Sequence, residues 1–264
     1  DYFTQILLKK WIPTKLIRTI VAIIFSFIEK LICNSFDLII FAENYYKNSF
    51  PQKIIDKSID ILNYPRLNEI KSIDRNNNYV KIIYTGNVTV DRGAINMIKC
   101  LSVLIEKGYN VKLYLVGLLK DEDIISLIEK DAELSNNIAT IGKQKYIDYS
   151  IIKKHYSDAN IGLALISSKA HYEKKLLTKF FEYMQNEIPM VISKYNEWEK
   201  LIHDTECGIC VDPDNVMESA NAIEYLINNP TIAKQMGKNG RKAVEEKYNW
   251  DTQAEKLITV INSI

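Results

Sequence analysis

Two cations and one carboxylate in this chain have the types and surroundings needed to hold a nucleoside diphosphate. Arg92 lies in Gly86-Asn87-Val88-Thr89-Val90-Asp91-Arg92-Gly93, between an apolar run and a helical one. Gly86 lets the backbone turn sharply, and Gly93 lets a helix begin close to a ligand. Free amides at a helix start attract anions, and a guanidinium adds a bidentate positive charge. Lys179 stands in Thr178-Lys179-Phe180-Phe181-Glu182-Tyr183-Met184, which opens a helix after a long loop at 167–177. Thr178 is expected to cap that helix. A lysine in an opening turn opposes the macrodipole, so a bound anion would relieve a conflict there. Glu182, one turn on, shares a face with Thr178 or Lys179 and can accept two hydrogen bonds from a ribose diol. Neither segment is specific alone. There is no Gly-x-Gly-x-x-Gly, and a Lys–Glu pair also fits an ordinary solvated helix face.

The elements that must position these residues are legible from residue 80 onward. Apolar runs at Val80–Thr85, 111–116, 138–141, 161–165, Met190–Ser193 and Gly208–Val211 alternate with stretches of helical period. Such alternation predicts an α/β fold, a Rossmann-like, doubly wound parallel sheet. Ligands bind such sheets at the carboxyl ends of the strands, where both loops fall. The helical period of 216–227, 232–247 and 252–261 closes the chain. The first third reads as part of a second α/β domain. It has a helix over 7–33, a strand over 36–42 buried on both faces, and a linker from Asn63-Tyr64-Pro65 to Asn78. The expected division is 1–76, 77–248 as the ligand-binding domain, and 249–264 as a helix crossing back to the first part.

Composition excludes several classes. Hydrophobic residues make 47% and charged residues 25%, which suits one large core or two small ones. A net charge of +1 gives no field for nucleic acid. Four cysteines are too few for a disulfide framework, and Cys207-x-x-Cys210 reads as a structural pair entering a strand. The apolar stretch 20–28 falls short of the ~20 residues of a membrane span. Lys9, Lys10, Trp11, Lys15 and Arg18 precede it, a pattern that fits either an anionic membrane surface or a solvated helix face. The start at Asp1, without a leader, suggests a cytoplasmic chain lacking an upstream segment. Asp212-Pro213-Asp214 reads as a turn and Asp121-Glu122-Asp123 as a helix start, not as metal ligands. His155, His171 and His203 lack ligand spacing, though His171 in the long loop can approach a ligand there. No metal and no cofactor are expected.

Several motifs together resemble the retaining family-4 glycosyltransferases of GT-B architecture. They are Leu177 through Met184 with Ile188-Pro189-Met190-Val191, and Tyr84-Thr85-Gly86 with Asp91-Arg92-Gly93. A tail follows in Met236-Gly237, Gly240-Arg241 and Tyr248-Asn249-Trp250. Ile6-Leu7, Trp11-Ile12-Pro13 and Leu16-Ile17-Arg18 resemble the later part of the acceptor domain. The resemblance implies transfer of a sugar from a nucleoside-diphosphate sugar to a hydroxyl of a saccharide or lipid-linked acceptor, with retention. It implies Arg92 and Lys179 as the catalytic cations against the donor diphosphate. Gly86, Asn87, Gly93 and Thr178 would lie around the donor, Glu182 would hold the ribose, and Gly142 and Lys143 would receive the base through backbone groups. Polysaccharide or glycolipid synthesis at the cytoplasmic membrane face is the implied setting. Departures fall near the sugar: Lys174 stands eight positions before Glu182 where a glutamate is common, with Glu173 beside it, and Asn87 replaces a frequent arginine. Glu187 replaces a helix-ending glycine, so Asn186 is expected to take the left-handed cap. Two alternatives stay open: a nucleotide-sugar-binding fragment or subunit inactive without the missing N-terminal segment, and a nucleotide-sugar epimerase, which the tail motifs fit less well.

Overall fold

A computed structural model describes residues 6–7, 14–67, 75, 78–167 and 172–263. The chain divides into two compact units, Asp1–Tyr64 with Trp250–Ile264, and Pro65–Asn249. In the first unit, helix α1 (Lys15–Asn34) begins where the Thr14 side chain accepts from the Ile17 amide. Of α1 only Ala22 is buried, and Leu16, Ile20, Ile24, Phe27 and Leu31 are exposed. Lys9, Lys10 and Trp11 lie outside the described residues. Strand β1 (Ile39–Phe41) is shorter than the expected 36–42 and is not buried on both faces: Phe41 is covered, Ile40 is not. Helix α2 (Gln52–Ile55) leads to β2 (Ser58–Asp60), which pairs with β1 in parallel. No helix among the described residues is long and apolar enough to cross a membrane.

The second unit holds the expected alternation. It runs β3 (Val80–Thr85), α3 (Ala94–Glu106), β4 (Val111–Leu119), α4 (Glu122–Lys130), α5 (Ala132–Asn137), β5 (Ile138–Lys143), α6 (Tyr149–Tyr156) and β6 (Ile161–Ala164). It continues through α7 (Thr178–Gln185), β7 (Met190–Ser193), α8 (Asn196–Thr205), β8 (Gly208–Val211), α9 (Val216–Asn228) and α10 (Pro230–Glu246). Helix α11 (Trp250–Ile261) returns to the first unit, where Gln253 accepts from the Leu62 amide at 2.9 Å and Lys256 donates to the Asp60 carbonyl at 2.9 Å. The six strands lie in the order β5-β4-β3-β6-β7-β8, all parallel. From β3 the chain builds outward to β5, then returns to start β6 on the other side of β3. The topological switch therefore lies between β3 and β6, where the loops diverge and leave a crevice. Along β3 the period of two sends Ile82 and Tyr84 into the core with Met97 and Leu101 of α3. Lys81 and Thr85 point to the other face, toward His155 (3.3 Å) and Tyr156 (2.9 Å) of α6.

Helix α7 is anchored at its far end. Arg75 donates to the carbonyls of Asn186 (2.8 Å) and Glu187 (2.9 Å), and Arg241 of α10 donates to that of Gln185 (2.9 Å). These bonds satisfy carbonyls that a helix end leaves without partners. Glu187, not Asn186, adopts the left-handed conformation, at φ 53°. Asn186 stays at φ −99°, its side-chain amide bonded back to the Glu182 carbonyl at 2.8 Å. That bond removes the reason for Asn186 to take the cap. Two tail glycines let α10 approach: a Cβ on Gly237 would collide with the Glu187 carbonyl, and one on Gly240 would crowd Met184. Alanine is the better helix former by about 1 kcal/mol. We nonetheless expect Gly237→Ala to lower stability by about 1–3 kcal/mol, because the obstacle is backbone and cannot rotate away. Urea unfolding measures the sign, and a stabilised variant would show that α10 is not seated on Glu187.

Candidate functional site

The loops after β3 and β6 meet at the switch point. Gly93, at φ 80°, ends a 3-10 turn (Val90–Arg92) and starts α3. Any Cβ there would strike the Leu165 carbonyl at the end of β6. Gly117, in β4 at φ 144°, lies equally close to the Gly86 carbonyl, and Gly142 lies against the Gly117 carbonyl. Backbone from β3, β4 and β5 is thus drawn together along one edge. Above it, the point where a Gly86 side chain would begin is 3.6 Å from Lys179 Nζ and 3.7 Å from Arg92 Nη1. Both cations therefore face one backbone position.

Lys179 is 8% exposed, and its ammonium has no hydrogen-bond acceptor among the described residues. It rests 3.6 Å from the centre of the Tyr84 ring, a cation–π contact. Burial and then the Arg92 charge hold its pKa well below the usual lysine range, against a smaller opposing pull from Glu182. Arg92 donates through Nη2 to the Tyr172 hydroxyl at 2.7 Å and packs 5.0 Å from that ring. Burial opposes its charge, yet the Tyr84 and Tyr172 phenols outweigh this and raise its pKa. Tyr84 donates to the Asn87 carbonyl at 3.0 Å, and its own pKa is pushed up to about 12 by burial, with Arg92 pulling the other way. Glu182 accepts from Tyr156 at 2.7 Å, and Tyr156 also shares a bond with Thr85 Oγ1 at 2.9 Å.

Arg92, Lys179, Glu182, Gly86 and Gly93 are gathered here as the sequence reading anticipates. Thr178 is not the cap: it is the first helical residue of α7, and Leu177 occupies the cap without a side-chain capping bond. Its backbone has turned helical, so it cannot hold the extended cap geometry that a capping side chain requires. Gly142 and Lys143 end the edge strand β5, and the Lys143 ammonium is engaged with Glu129 at 2.8 Å. His171 lies outside the described residues. Asp212 accepts from the Asp214 amide at 2.9 Å, closing a turn. Among the described residues no group of His, Cys, Asp or Glu could hold a metal ion. All four cysteines are free, and buried Cys207 accepts from Thr205 at 3.0 Å. Sequence reasoning missed Gly117 and the tyrosines Tyr84, Tyr156 and Tyr172. Tyrosines are plausible core residues anywhere, and the available signal was Tyr149 and Tyr156, spaced seven apart on one helix face.

A buried ammonium without an acceptor costs stability, which gives a test of this geometry. The folded pKa of Lys179 lies below its unfolded value near 10.4, so within that window the unfolded chain binds the extra proton and stability rises with pH. Lys179→Met should therefore make the ligand-free protein more stable at pH 7 by about 1 kcal/mol or more. Its advantage over the wild type should shrink as the pH approaches about 10. Denaturation at several pH values checks both. A variant less stable than wild type at pH 7 would mean the ammonium is not buried unpaired.

Residues 65–243 match the family described as Glycosyl transferases group 1. Over 188 residues the chain is 26% identical to the capsular polysaccharide biosynthesis glycosyltransferase CapM of Staphylococcus aureus, covering 71% of this chain and 47% of CapM. Over 169 residues it is 25% identical to the poly(ribitol-phosphate) alpha-N-acetylglucosaminyltransferase of S. aureus strain COL, covering 63% of this chain and 32% of that protein. The chain thus spans less than half the length of either relative. Among solved structures, HepE from Anabaena in complex with UDP superposes with a TM-score of 0.73 at 15% identity, over 90% of this chain and 67% of HepE. Sucrose-phosphate synthase from Thermosynechococcus elongatus gives 0.69 at 18% identity, over 99% of this chain and 65% of that one. These likenesses show the α/β fold of GT-B glycosyltransferases. The chain belongs to group 1 of the glycosyl transferases.

Proposed function

We propose that this chain binds a nucleoside-diphosphate sugar at the β3–β6 switch point and transfers the sugar, with retention, to a hydroxyl acceptor. The observation that carries the reading is the Lys179 ammonium, buried beside the Arg92 guanidinium and without an acceptor among the described residues. Breaking the bond between the anomeric carbon and the diphosphate leaves negative charge on the diphosphate. Lys179, Arg92 and the uncapped first turn of α7 stabilise that charge where it develops. Glu182 accepts the ribose hydroxyls, and the end of β5 at Gly142 and Lys143 receives the base. The UDP bound to HepE supports a nucleotide donor. The names of CapM and the poly(ribitol-phosphate) transferase support a polysaccharide or related acceptor; a lipid-linked acceptor and a setting at the cytoplasmic membrane face rest on the motif resemblance alone. Retention and family 4 rest on the motif resemblance.

The exposed apolar surface of α1 favours a second reading, a nucleotide-sugar-binding unit whose transfer activity needs further polypeptide over that helix. The same helix, with Lys15 and Arg18 at its start, is the part that would meet an anionic membrane. Flotation with anionic and neutral vesicles tests the membrane contact, and selective flotation with anionic vesicles is expected. Transfer assays on this chain, alone and with a polypeptide supplied that carries the part of its relatives it does not span, decide between enzyme and binding unit.

In a thermal-shift screen, the matching nucleotide sugar should stabilise the chain by about 2.7 kcal/mol at a hundred times its Kd. Arg92→Ala and Lys179→Ala should each lower turnover about a hundredfold or more, roughly 3 kcal/mol of transition-state stabilisation. Unchanged turnover in both variants would remove the assigned leaving-group site.

A further inference from the structure

Glu182 meets one phenol of α6 directly and lies near a second. Tyr156 donates to Glu182 Oε2 at 2.7 Å. The Tyr149 phenol stands close enough to feel the same carboxylate: burial, and then that charge, push its pKa up. The two tyrosines are seven residues apart, two turns along α6, and so lie on one face. Tyr156 has no freedom to leave. It is fully buried, its ring meets that of Tyr183 edge-on at 5.8 Å, and its hydroxyl sits 2.9 Å from Thr85 Oγ1. A phenol has one proton. With that proton on Glu182, the Thr85 hydroxyl must donate to the phenol oxygen, giving a directed chain from Thr85 through Tyr156 to Glu182. Thr85 is the last residue of β3 and directly precedes Gly86, the position both cations face. Tyr149 is partly exposed.

A carboxylate can accept about four hydrogen bonds. Tyr156 occupies one of these, Tyr149 stands beside the same carboxylate, and the remainder is left for another ligand. Phenols are neutral donors, so they fix the carboxylate without cancelling its charge. A lysine or arginine in their place would have done both. We infer that Tyr149 and Tyr156 are positioning residues that fix Glu182 for a vicinal diol, and that they thereby make this site selective for ribonucleotides over 2′-deoxyribonucleotides. This inference rests on the donor-site reading proposed above. It adds the specificity-setting residues and the discrimination they produce.

The test compares UDP, ADP and GDP, each with its 2′-deoxy counterpart, by calorimetric titration of the wild type, Tyr156→Phe and Tyr149→Phe. A ratio of affinities cancels any uniform loss of folded protein or of phosphate binding. Tyr149→Phe, at a partly exposed position, serves where Tyr156→Phe fails to fold. The wild type is expected to prefer the ribonucleotide by about tenfold or more, the value of a hydrogen bond to a charged group. The preference should fall to about threefold or less in Tyr156→Phe and decline in Tyr149→Phe. If both variants keep the wild-type ratio, the positioning role is overturned and the donor site stands. If the wild type shows no preference, Glu182 does not hold a ribose and the inference fails with it. If no nucleoside diphosphate binds at all, the donor-site reading itself is overturned.

Discussion

The arrangement of this unit turns on one charge, the Lys179 ammonium, held out of water against the face of Tyr84 and without a hydrogen-bond acceptor among the described residues. A surface lysine would swing into solvent, and this one cannot. It follows Thr178 at the start of α7, and the next two residues, Phe180 and Phe181, are fully buried and lock the helix rotation. Phe180 meets Trp198 edge-on at 4.8 Å, Phe181 packs on Tyr248 at 5.2 Å, and α10 seats itself on the far end of the helix. The packing that places the ammonium is thus distributed over α7, α8 and α10, while its electrostatic cost is local. A ring quadrupole offsets that cost only in part. A dianionic ligand would offset far more, because charge interactions strengthen where water is excluded.

Charge separation within the site depends on tyrosine. Lys179 and Glu182 are three residues apart on one helix, the spacing at which an ion pair normally forms. Here none does, because Glu182 is already engaged by Tyr156 of α6 and Lys179 lies over Tyr84. A pair would have neutralised both groups and left nothing for a ligand. Arg92 follows the same logic: Tyr172 and Tyr84 accept from it or lie beside it without supplying a full negative charge. The neutral phenols keep two cations at one end of the site and an anion at the other, the separation that the proposed diphosphate and ribose contacts require.

Much of this was legible because it follows from backbone periodicity. Apolar runs of four to six residues marked every strand of the parallel sheet. The strand order, which no single run announces, sets the switch point and brings Arg92 and Lys179 together. What was missed has physical reasons. Helix α8 buries only Trp198, Leu201 and Thr205, so little apolar period marks it in the sequence. β1 read as doubly buried because seven apolar-rich residues imitate a central strand, whereas it has a single described neighbour in β2. Thr178 has a good capping side chain, but a cap is defined by backbone angles, and those belong to Leu177. Gly117 was hidden because a glycine inside a strand announces a close approach without naming the partner, here the carbonyl of Gly86.

The tail motif shows why a family pattern and a catalytic pattern should be argued separately. Gly237, Gly240 and Arg241 belong to the motifs that carry the resemblance, as Arg92 and Lys179 do, yet none of them lies at the switch point. Their contacts are to Glu187, Met184 and the Gln185 carbonyl, all at the carboxyl end of α7 or just past it. Their contribution is mechanical. By letting α10 approach backbone to backbone, the two glycines fix the height of α7, and Arg241 and Arg75 hold its last carbonyls. A helix eight residues long has little intrinsic stability and would not by itself hold a buried ammonium at its first turn. The cations at one end of α7 can be kept away from solvent because the other end is clamped. The matching residues of the tail therefore act on the site through the position of one short helix.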